Sequence, residues 1–121
     1  MPEDWARPVV HWELRAKDPQ KQRQFYATMF NWNIGDGPIM GIPAGIGAPD
    51  ADNFTGHIIP GDAPHFVLYI QVLDVNATLA RAKELGGAVT REPFDVPQGD
   101  GKVTLAGITD PEGNPITLVQ Q

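Results

Sequence analysis

The chain has 121 residues and 13.2 kDa, with 9 Lys+Arg against 15 Asp+Glu, a net charge of −6 and a pI near 4.8. That suits one domain and one core, and an acidic chain with no basic run lacks the footprint of a nucleic-acid or anionic-membrane binder. No cysteine and no serine is present, which excludes disulfides, thiolate metal sites and serine or cysteine nucleophiles.

Thirteen Gly and 12 Pro favour many short elements joined by turns over a helix bundle. No apolar run approaches the roughly 20 residues that span a bilayer, and the opening MPEDWARP has no apolar h-region. A cytoplasmic location is the expectation.

Residues 8–15, PVVHWELR, read as a strand. Val9, His11 and Glu13 share one face; Val10, Trp12 and Leu14 share the other, and the latter two should pack under a helix. Asp18-Pro19 then gives an N-cap followed by Pro at the first helical position, opening a helix to about Asn31. Phe25 and Met29, with neighbouring Tyr26 and Phe30, supply its apolar stripe. Lys17, Lys21 and Arg23 oppose the helix dipole, so Asp18 carries more of the capping.

From Ile34 to Pro60 the text is Gly- and Pro-rich. It predicts short strands near 33–36, 38–42 and 56–60, and a loop at 47–55 carrying Asp50, Asp52, Asn53 and Phe54. The Asp50–Asn53 run lacks the Gly and the bidentate Glu of a calcium loop and reads as a solvated turn. The Gly-containing GDGP and GIGAPD lack the Lys-Ser/Thr of a phosphate loop.

The pattern then restarts. PHFVLYIQV (64–72) is a strand, and Asp74-Val75-Asn76 leads into a helix with Leu79, Ala80, Ala82 and Leu85 on its apolar side, ended by Gly86-Gly87. Three strands follow, AVTREPFDVP, KVTLAGITD and NPITLVQQ, with DPEGN (110–114) turning between the last two. The chain is thus two copies of one unit, a strand, a helix and three strands, with unit one about 8–61 and unit two about 64–121. His11 precedes Asp18 by seven residues as Val67 precedes Asp74, which pins the register of the repeat.

This β-α-β-β-β repeat resembles the vicinal oxygen chelate superfamily, which contains glyoxalase I, bleomycin-resistance proteins, methylmalonyl-CoA epimerase and the extradiol dioxygenases. The resemblance is carried by VVHWELRAKDPQKQRQFYATMFNW (9–32), GHIIPG (56–61), IQVLDVNATLARAKELGGAV (70–89) and ITDPEGNPITLVQQ (108–121). It implies an α+β fold in which two tandem units form a curved mixed sheet around a cavity. Metal-binding members place His or Glu at four inward positions. Here these fall on His11, on His57, on Val67 and on Thr117.

Val67 has no donor atom, and the Thr117 hydroxyl is a poor ligand for a divalent transition ion. No metal cofactor is therefore expected. If one were held, His11, His57 and Glu13 would hold it, although His11 and Glu13 stand ~6–7 Å apart along one strand face. His11 beside Glu13 also forms a candidate acid/base pair. Tyr69 and Gln71 share the face of Val67 and would orient a polar ligand, while Phe54 would close over it and His57 would contact it. Trp32 is assigned to packing, and His65 to the surface.

The resemblance implies a small organic molecule bound in a metal-independent cavity and sequestered, as in the bleomycin-resistance proteins. A lyase, isomerase or dioxygenase using a weakly held metal or the His11/Glu13 pair is the alternative, and a fold-only interaction protein is the third. The family's habit and the exposed strand edges imply a homodimer, to which Trp5 and the N-terminal arm would contribute.

Overall fold

Both helices begin where an aspartate can satisfy a free backbone N–H, in each case seven residues beyond a strand residue of the repeat. In a computed structural model, which describes residues 6–43 and 54–120, Asp18 accepts from the Lys21 N–H at 3.1 Å and Asp74 from the Ala77 N–H at 3.0 Å. The elements run β1 (Val9–Ala16), α1 (Pro19–Phe30), β2 (Met40–Pro43), β3 (Phe54–Pro60), β4 (His65–Gln71), α2 (Val75–Glu84), β5 (Ala88–Gln98), β6 (Gly101–Thr109) and β7 (Pro115–Gln120). The class is α+β, with parallel and antiparallel pairs in both halves.

The chain divides into two compact units, one of His11–Val67 and the other formed by the chain from Leu68 onward with the segment up to Val10. In the first, β3 lies between β2 and β1, antiparallel to β2 and parallel to β1. Leu14, Ala16, Ile34, Met40, Ile42 and Ile58 form its core, with Trp12, Tyr26, Ala27 and Trp32 packed against them. Trp12 and Leu14 thus lie on the helix side of β1, as the alternation of the strand predicts. Trp32 stacks on Tyr26 at 5.6 Å and 8°.

In the second unit the order is β4-β7-β6-β5, with β4 parallel to β7 and the other pairs antiparallel. Val72, Val75, Leu79, Ala106 and Leu118 form its core. The edge strand β5 tolerates Pro93 and Pro97, which a central strand would not. The DPEGN turn closes on Asp110, whose carboxylate accepts from the N–H groups of Glu112 and Asn114, both at 2.9 Å.

Three expectations are corrected. No strand forms at 33–36, so the first unit reads strand, helix, strand, strand among the described residues. The carbonyls of Ile34 and Gly35 are taken by the Arg23 Nε–H at 3.1 and 3.0 Å, and Pro38 has no N–H for a ladder. The Phe25 and Met29 stripe of α1 faces outward, at 54% and 60% exposure, because Tyr26 and Ala27 are the side that meets the core. In α2, Val75 and Leu79 are the buried pair, whereas Ala80 and Leu85 are exposed. Leu85 sits at the C-cap, where Gly86 takes φ +95° and turns the chain away.

Candidate functional site

Alternation along β1 puts His11, Glu13 and Arg15 on the face opposite Leu14 and Ala16. The parallel register sets Glu13 directly against His57 of β3, so the two side chains emerge on the same face. Four polar side chains result in one unbroken row. Arg15 Nε donates to Glu13 Oε2 at 2.6 Å, Glu13 Oε1 meets His57 Nε2 at 2.9 Å, and His57 Nδ1 meets His11 Nε2 at 2.7 Å. The two imidazole rings stack with centroids 4.9 Å apart.

The row is largely withdrawn from water. The side chains of Glu13 and His57 are 7% and 12% exposed, and that of Arg15 is 40% exposed. Burial pushes the His11 imidazolium below its ordinary range, the charge of His57 adds to the effect, and Glu13 opposes it. Arg15 is a permanent cation, so Glu13 is held as a carboxylate that accepts from both neighbours.

The sequence pairs His11 with Glu13 along one strand; the structure interposes His57, which links to both. His57, expected as a ligand contact, is the centre of the row. Val67 is fully buried. Tyr69 and Thr117, both half-buried, stand opposite each other in the parallel register of β4 and β7, two residues before Gln71 and Val119. They belong to the other unit. Phe54 begins β3 and its side chain lies outside the described residues, as do Asp50, Asp52, Asn53 and Trp5. His65 is exposed, as expected.

A feature the sequence does not signal is a wide-mouthed groove of about 610 Å³ along α1, lined by Arg23, Gln24, Ala27, Thr28 and Trp32 among others. None of the four residues of the row lines it.

Residues 11–119 match the Glyoxalase-like domain family. Among curated proteins, the anthracycline biosynthesis protein DnrV of Streptomyces peucetius is 36% identical over 89 residues, which is 74% of this chain and 27% of that protein. The chain thus spans about a quarter of that relative's length. Among solved structures, a glyoxalase/bleomycin resistance protein/dioxygenase superfamily member from Vibrio splendidus 12B01 superposes with a TM-score of 0.63 at 11% identity, over 91% of this chain and 95% of that one. The Mn(II)-bound glyoxalase from Novosphingobium aromaticivorans gives 0.66 at 18% identity, over 96% of this chain and 40% of that one. At these identities the structural likeness shows the fold alone.

That neighbour's Mn(II) prompts the question whether the row here fits an ion. It does not fit one. The ring nitrogens of His11 and His57 face each other at 2.7 Å, a hydrogen-bond distance that leaves no room for an ion between them. The two nitrogens of the His57 ring are turned toward different partners, so His11, His57 and Glu13 form a line and do not converge. Among the described residues no group of three His, Asp or Glu side chains is arranged to hold a metal ion. Among the described residues, no helix is long and apolar enough to cross a membrane.

Proposed function

The chain belongs to the Glyoxalase-like domain family, and we propose that it binds a small organic molecule without a metal, using the row His11–His57–Glu13–Arg15 as its polar recognition element. The observation that carries this reading is the row itself. Burying a carboxylate, two imidazoles and part of a guanidinium is unfavourable unless each is partnered, and an apolar sheet face would be more stable with less. Clustered, desolvated titratable groups with specific partners are candidates for functional sites.

The relative named for anthracycline biosynthesis supports an organic ligand rather than a macromolecule. We further propose that the protein acts as a homodimer. Sequestration and chemistry on the ligand both fit this site.

The test is thermal stabilisation of chelator-treated protein by anthracyclines and their aglycones. We expect a dose-dependent rise in Tm, with affinity reduced about tenfold or more in His11→Ala, which corresponds to losing one buried hydrogen bond to the ligand, and reduced also in His57→Ala, which removes the partner that orients the His11 ring. An unchanged Tm at millimolar ligand, or binding that appears only with an added divalent ion, would overturn the reading.

A further inference from the structure

We propose that the outward stripe of α1, Lys21–Phe25–Met29, is the seam on which a second copy of this chain packs, the two helices running antiparallel about a two-fold axis at Phe25. This names the surface of the homodimer proposed above and rests on that reading; it does not involve the ligand.

The stripe has the shape of a helix-packing surface. Lys21, Phe25 and Met29 follow at intervals of four and form one ridge along the helix, with Gln24 and Thr28 beside it as a second. Phe25 and Met29 are large apolar side chains left more than half exposed. Along these ridges lies a largely apolar hollow of about 310 Å³, lined by Lys21, Gln24, Phe25, Thr28 and Met29. The first four stand at i, i+3, i+4 and i+7, the spacing that forms a hole for one apolar knob of a facing helix. The hollow exceeds the ~150 Å³ that holds a benzene ring, so a phenyl group fits it. Phe25 lies midway along the 12 residues of Pro19–Phe30. A two-fold axis there sets each Phe25 ring into the other copy's hole and overlaps the helices along their whole ~18 Å length.

Charge favours the second copy and the antiparallel sense. α1 has no basic residue in its last turn, and among the described residues no N–H beyond the helix donates to its last carbonyls. In α2, by contrast, the N–H groups of Leu85, Gly86 and Gly87 donate to carbonyls of the last turn, which also carries Arg81 and Lys83. At the other end of α1, Lys21 is an exposed cation near the positive pole, with no acidic side-chain partner among the described residues. The two-fold axis sets Lys21 opposite Met29 of the partner subunit. Each ammonium then reaches the open carbonyl end of the other helix, and the same surface supplies both halves of the match. A parallel pairing would set the two cations side by side.

The seam is small. Its apolar part is two side chains per copy, well below what a permanent dimer buries, so the pair is reversible and forms in concentrated protein. Dilute protein is monomeric, and unfolding measured there does not sense the stripe.

Sedimentation of the full chain from about 10 µM to about 1 mM tests this. Expected is a mass that rises with concentration from 13.2 kDa toward twice that value. Phe25→Lys sets two cations face to face at the axis and should weaken association about a hundredfold. Lys21→Glu should weaken it about tenfold while leaving the single copy as stable or more so, because an acid suits the start of a helix. Damage to the fold would not give that combination. The chain has no cysteine, so Phe25→Cys carries a single thiol, and at the axis it should oxidise to a covalent dimer much faster than Ala80→Cys at an exposed position of α2.

A dimer unchanged in Phe25→Lys, or equal oxidation of the two thiol variants, would overturn the seam and leave the homodimer reading standing. A mass that stays at 13.2 kDa throughout would overturn both. So would a monomer that sediments with anionic phospholipid vesicles, which would assign the stripe to a membrane surface.

Discussion

Glu13 and His57 stand opposite each other in the parallel register of β1 and β3, 44 positions apart in sequence and 2.9 Å apart at their side chains. The carboxylate is also clasped by Arg15 at 2.6 Å. A buried carboxylate with two charge-capable donors is stable as an anion, and it is the fixed point from which the hydrogen-bond directions of the row follow.

Acid should weaken the fold through His11. Its proton affinity in the folded chain lies below the ordinary histidine value of 6.5, chiefly by burial. The unfolded chain therefore takes up that proton first as pH falls. Stability from this source is complete above about pH 6.5 and declines progressively below it. The urea midpoint measured against pH should show the decline, and His11→Gln should make it shallower. A midpoint that rises on acidification through this window would contradict the assignment.

Gly56 should not tolerate a side chain. A Cβ there would lie 2.5 Å from Trp12 Cε2 and 2.6 Å from Cδ2, both in the body of the indole. Trp12 in turn lies 6.0 Å from the Phe66 ring. Gly56→Ala should cost about 1–3 kcal/mol, as overpacking does, with a changed tryptophan emission from the displaced ring. A stability and emission equal to those of the natural protein would show that the indole has room to move.

The two caps should differ in weight. Asp18→Ala and Asp74→Ala each remove one side-chain acceptor, worth about 0.5–2 kcal/mol. Neither helix has an acidic residue in its first turn, but α1 places Lys21 and Arg23 near its start while α2 carries Arg81 and Lys83 in its last turn. The dipole favours basic groups at the C-terminus, so the loss at Asp18 should be the larger. Chemical denaturation of the two variants side by side decides it.

The outward face of α1 should be silent in stability. Phe25→Gln changes an exposed position and should shift unfolding by no more than about 0.5 kcal/mol, whereas Leu79→Ala, at 5% exposure in the other helix, should cost about 2–5 kcal/mol. A large loss at Phe25 would mean that the stripe is covered in solution.

Features set by local chemistry were readable from the sequence. Asp18 and Asp74 cap because each precedes a helix and a free N–H three residues on. The alternation of β1 separates His11 and Glu13 from Trp12 and Leu14 because strand side chains alternate. Matters decided by distant partners were not readable. His57 joins the row only through a register fixed across a long Gly- and Pro-rich stretch, and nothing near His57 announces it. Phe25, Tyr26, Ala27, Met29 and Phe30 of α1 are all apolar or aromatic, so periodicity does not choose between a Phe25/Met29 face and a Tyr26/Ala27 face. The strand expected at 33–36 fails because a side chain from α1, Arg23, captures its carbonyls. The resemblance to the vicinal oxygen chelate superfamily, taken position by position, did bring His11 and His57 forward together.

The parallel pairing of β1 with β3 also bears on the order of folding. Parallel strands cannot be joined by a tight turn, and closing a loop of this length precedes any gain from the contact. Contacts of such sequence separation belong to the slow part of a folding reaction. The imidazole–carboxylate contact between His57 and Glu13 therefore cannot exist in a partly folded chain whose strands have yet to meet, and its appearance after dilution from denaturant would time the last closure of this unit.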